Sequence, residues 1–119
     1  MMREYPKWRD FLMEQLAEPK AAVDYLHITL EEFQLDKDIT FFLKEVQTVI
    51  EAQGGVNEIA KRATMCPETL LEILSSEEAP PIDIFVNILS AFGCKLTIQT
   101  INDNGISRFG IPQILKKII

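Results

Sequence analysis

Between Ile39 and Ile50 the apolar residues Ile39, Phe42, Leu43, Val46, Val49 and Ile50 recur at spacings of three and four, and Gly54-Gly55 follows at once. That spacing predicts a helix buried along one stripe, with Asp38 as its N-terminal cap and the diglycine as its stop. Past the stop there is room only for short pieces. Val56, Ile59, Ala60 and Ala63 mark about two helical turns, and Thr64-Met65-Cys66 makes a tight connection. Pro67 then opens a second short helix with Leu70, Ile73 and Leu74 inside. Two short helices across a three-residue turn, between longer supporting helices, outline a helix-turn-helix unit over residues 55–75. Ala60 supplies the small side chain that a close crossing needs, and Met65 is an apolar plug in the turn. A generic small helical bundle has the same spacing, so the pattern leaves both readings open.

The flanks complete a mainly α-helical chain of three regions. Residues 1–19 form an N-terminal arm or short helix with Trp8, Phe11, Leu12 and Leu16 on one face. Residues 20–93 form the helical domain. Its leading helix carries Ala22, Val23, Leu26, Leu30 and Phe33, and its last helix carries Ile82, Phe85, Val86, Leu89 and Phe92 before Gly93. From Cys94 the period changes to two: Cys94, Leu96 and Ile98 alternate with Lys95, Thr97 and Gln99, which predicts a β-strand over 94–101. Asn102 to Gly105 reads as a turn, Ile106 to Phe109 as a returning strand and Pro112 to Ile119 as a terminal helix. A strand edge and an apolar tail need cover, so residues 94–119 are expected to dock or dimerise.

With 119 residues, 47% apolar and 25% charged, the chain can fill one globular core. No apolar run reaches the length of a membrane span, and the first twenty residues carry eight charges, so neither a spanning helix nor a secretory leader is expected. Two cysteines are too few for a disulfide framework or a four-ligand zinc site, and no phosphate-binding glycine loop or nucleophile elbow is present. The expectation is a cytoplasmic protein that is not an enzyme and carries no metal or cofactor. Its net charge of −6 and pI near 4.8 lack the basic footprint usual for nucleic-acid binding. The imbalance is uneven. Residues 21–53 hold seven acids against two bases, residues 54–92 six against two, and residues 93–119 one against four.

Here the chain resembles the addiction-module antidote proteins, the antitoxin halves of bacterial toxin–antitoxin pairs with a repressor-type helix-turn-helix. The resemblance lies in the run Gly54-Gly55-Val56-Asn57-Glu58-Ile59-Ala60-Lys61-Arg62-Ala63 and its continuation Thr64-Met65-Cys66-Pro67-Glu68-Thr69-Leu70-Leu71-Glu72-Ile73-Leu74. The Pro80-Pro81 loop, the helix ending at Gly93, the strand after it and the upstream stretch Ala22–Phe33 extend it over roughly residues 20–100. The resemblance implies a dimer that binds operator DNA and neutralises a ribonuclease-type toxin. In the family the recognition helix opens with Ser-Arg and carries a further base; here those positions hold Cys66, Pro67 and Glu72, and Thr64 stands where the turn usually has glycine.

The DNA-facing residues on this reading are Asn57, Lys61 and Arg62 on the first helix of the unit, with Cys66, Pro67, Glu68, Thr69 and Glu72 on the second. Lys61 and Arg62 would neutralise phosphates, Asn57 would cap its helix or donate to a phosphate oxygen, and Thr69 would reach a base edge. A solvated helix face carries the same residues. Glu68 and Glu72 repel the DNA backbone, so the alternative is a protein-interaction module of the same fold without DNA affinity. The acidic run Asp24, Glu31, Glu32, Asp36 and Asp38 is either a solvated surface or a face for a basic partner. His27 has no neighbour at a spacing that would make a catalytic pair.

Overall fold

The computed structural model describes residues 4–101, with side chains from Trp8 onward. Six helices are found among them: α1 (Glu4–Leu16), α2 (Pro19–Asp36), α3 (Ile39–Ala52), α4 (Val56–Arg62), α5 (Pro67–Ser75) and α6 (Ile82–Ala91). The described chain is mainly helical, and no helix in it is long and apolar enough to cross a membrane. Helix α3 is the axis: it packs against α1 and α2 on one side and against α4 and α5 on the other, while α6 lies on α4. Its five buried residues, Phe42, Leu43, Val46, Val49 and Ile50, fall on the face the spacing predicts.

The helix ends follow from local chemistry. Glu18 accepts a hydrogen bond from the Ala21 amide and Pro19 takes the first helical position of α2. The Asp38 carboxylate accepts from the Phe41 amide at 3.1 Å, the predicted cap of α3. Three helices end in the same left-handed cap, in which the amide two residues past the last turn reaches back to an orphan carbonyl. Gly54 takes a positive φ and the Gly55 amide reaches the Ile50 carbonyl at 2.8 Å; Gly93 does so and the Cys94 amide reaches Leu89 at 3.0 Å. After α4 the left-handed residue is Thr64, φ 60°, with the Met65 amide on the Ala60 carbonyl at 3.0 Å.

A β-branched residue in that region is strained by roughly 1–2 kcal/mol. Thr64→Gly removes the strain but gives the unfolded chain more freedom, so a net gain of up to about 1 kcal/mol is expected in denaturant unfolding. Thr64→Val, equally branched, should gain nothing.

Helix α1 belongs to the packed body. Leu16 is buried, the Gln53 side-chain amide donates to the Leu16 and Ala17 carbonyls at 2.8 and 3.0 Å, and Arg9 pairs with Glu51 at 2.7 Å. The expected face is only half buried, because Trp8 and Phe11 are mostly exposed. Between α2 and α3 the Tyr25 hydroxyl donates to Glu45. Burial, then the Glu45 carboxylate, raises the phenol's pKa well above its ordinary 10.0. The folded state therefore holds this proton more tightly than the unfolded chain. The associated stability is complete below pH 10 and declines as pH rises beyond it. Unfolding of Tyr25→Phe followed between about pH 9 and 11.5 should show a shallower alkaline decline than the parent.

Two expectations are corrected. Residues 94–101 form no strand: they follow α6 without secondary structure. A strand exists only as a ladder with a neighbour, and the neighbour expected, Ile106–Phe109, lies outside the described residues, as do the Asn102–Gly105 turn and the Pro112–Ile119 helix. In α6 the buried residues are Ile88, Leu89 and Ala91, whereas Ile82 and Val86, expected inside, are exposed. Asp83, Asn87 and Ser90 recur at spacings of four and three and form one polar, exposed stripe, and Ile82 and Val86 border it on the outward side.

Candidate nucleic-acid interface

Helices α4 and α5 pack together around the four-residue turn Ala63–Cys66, one residue longer than the sequence suggests. Ile59, Ala60 and Leu70 are completely buried in one core cluster, with Ala63 and Leu74 nearly so, and Met65 packs on that cluster from the turn. Ala60, one of the smallest side chains of the cluster, is completely buried, and its carbonyl accepts the Met65 amide. The same packing turns the opposite faces outward. On α4, Asn57, Lys61 and Arg62 are exposed; on α5, Glu68, Thr69, Leu71, Glu72 and Ser75 are exposed. Cys66 is exposed at the start of α5 and Pro67 is half-buried in its first turn. Seven of the eight residues expected to face DNA lie on these two helices, and Cys66 is the cap residue that opens α5.

Their electrostatics divide them. The Arg62 Nε donates to Glu58 Oε2 at 3.0 Å, and its Nη1 reaches the Ala91 carbonyl at 3.4 Å, at the end of α6. Arg62 therefore ties α4 to α6 and supplies a donor to a helix C-terminus. Lys61 is the only base of the two helices not in an ion pair. Against it stand Glu68 and Glu72 on the outer face of α5, where no base occurs. Arg62's structural task was partly visible in the sequence, since Glu58 and Arg62 stand four apart on one helix. Its reach to Ala91, 29 positions away, had no local signal. The exposed Leu71, at the edge of the α5 face, was also missed.

Elsewhere His27 sits on the outer side of α2 and pairs with Glu31 at 3.3 Å. Among the described residues no three His, Cys, Asp or Glu side chains converge as a metal site would require. No protein-family model, curated protein or solved structure matches the chain.

Proposed function

We propose that α4 and α5 form a repressor-like helix-turn-helix and that the chain is the antitoxin and transcriptional regulator of a toxin–antitoxin module, binding operator DNA as a homodimer. The observation that carries this reading is the packing of two short helices on each other across a tight turn, with Ala60 fully buried and α3 and α6 beside them, which leaves α5 exposed along its outer side. The order of diglycine, short helix, turn, short helix, proline loop and glycine-stopped helix supports it as well. Asn57 and Lys61 would contact the sugar-phosphate backbone, with Cys66, Pro67, Glu68, Thr69 and Glu72 nearest the bases. Arg62, held by Glu58 and Ala91, contributes less than its charge suggests. Ile98, almost fully exposed after α6, offers an apolar contact to a second copy.

The acidic outer face of α5 favours a second reading, in which the same fold binds only protein: a basic, ribonuclease-type toxin would meet Glu68 and Glu72 or the acids of α2. Electrophoretic mobility shift against the DNA upstream of the protein's own coding sequence separates the two. On the first reading the parent shifts this DNA at low salt, and Lys61→Ala lowers the magnitude of the log–log salt slope by about 0.9, the value of one lost phosphate contact. A parent chain that leaves the fragment unshifted at low salt establishes the second.

A further inference from the structure

We propose that an open groove along α2 is the seat of the chain's own C-terminal segment, residues 106–119. The groove has a volume of about 600 Å³; Leu26, Leu30 and Leu35 of α2 form one wall, and Leu96 and Ile101 of the stretch after α6 form the other. Much of this lining is open to water: Leu35 is 87% exposed and Ile101 95%. Apolar surface of that kind on two facing walls calls for a third apolar element between them.

Position and composition name the occupant. Ile101, the last described residue, lines the groove, so the chain continues from its mouth. The next four residues, Asn102-Asp103-Asn104-Gly105, are of the types that reverse a chain. Fourteen residues follow, enough to span about 46 Å if extended, whereas the 18 residues of α2 run about 27 Å. Reach is therefore ample. Half of those fourteen are large apolar residues, Phe109, Ile114 and Leu115 among them, and the rest include Arg108, Lys116 and Lys117 with no acidic side chain. Of the acids of α2 only Glu31 lines the groove, and Lys95 lines it from the stretch after α6, so apolar contact rather than charge selects the occupant. An apolar segment thus follows, four residues later, a residue that lines an apolar groove. None of this rests on DNA binding.

Limited trypsinolysis of the full-length protein, with cleavage after Arg108 followed by mass spectrometry, tests the seat from both sides. Leu35→Gln should speed that cleavage at least about fivefold by raising the population of released segment. Its melting temperature should barely move, because Leu35 makes little contact with the helical body. Leu115→Gln should do the same from the segment side, and the double variant should be cleaved no faster than the faster single one. The parent's protection should persist on dilution from about 100 to about 1 micromolar, as an intramolecular contact requires. Equal rates in parent and variants would overturn the proposal. Protection that fades on dilution would overturn it too, by assigning the groove to the segment of a second copy.

Discussion

Leu70→Ala is expected to destabilise the protein by about 2–5 kcal/mol, the cost of a cavity where a fully buried leucine stood. Leu70 has no exposed surface and sits on the face of α5 that packs on α3 and α4. Its loss removes the contacts that hold α5 against the body, and the surrounding helices can close the void only in part. Leu71, its neighbour in sequence, is 44% exposed, and Leu71→Ala should cost less than about 1 kcal/mol. Thermal unfolding reads the contrast. A domain of this size loses roughly 4–8 °C per kcal/mol, so Leu70→Ala should melt at least about 8 °C below the parent while Leu71→Ala stays close to it. Similar melting of the two variants would mean that α5 is rotated about its axis from the orientation described.

Ala60→Leu probes the opposite error, excess volume at the crossing. Ala60 is completely buried, and its carbonyl accepts the Met65 amide that closes the turn. Three added carbons have no space to enter, so α4 and α5 must separate or the leucine must leave its preferred rotamers, at about 1–3 kcal/mol. Denaturant unfolding measures the cost. If the variant unfolds with the parent's midpoint, the helices do not approach each other at Ala60. In the helix-turn-helix reading the variant should also weaken a DNA shift by more than Lys61→Ala does, since it displaces the whole of α5 rather than one phosphate contact.

The α4–α5 unit was legible because each of its boundaries has a local cause. Gly54 and Gly55 end α3 through conformations that other residues adopt at a cost, and Pro67 opens α5 where its missing amide matters least. Thr64 was readable as a point of strain, and the structure gives it the positive φ that makes it one. The exposure of Asn57, Lys61, Glu68, Thr69 and Glu72 follows from their place on the helix sides away from the buried Ile59, Ala60, Leu70 and Leu74. How the charged groups are engaged was less legible, because Arg62 bonds a carbonyl from a distant helix.

The sequence by itself determined where the helices start and stop and which side of α3, α4 and α5 faces inward, since spacing, caps and left-handed stops act over a few residues. Only the tertiary structure decided that Ile82 and Val86, apolar residues bordering the polar stripe of α6, stay exposed, and that Trp8 and Phe11 of α1 do too. It also decided the state of residues 94–101, because alternation makes a strand possible while a ladder needs a partner at hydrogen-bonding distance. Periodicity is a property of one segment, and burial and pairing are properties of two.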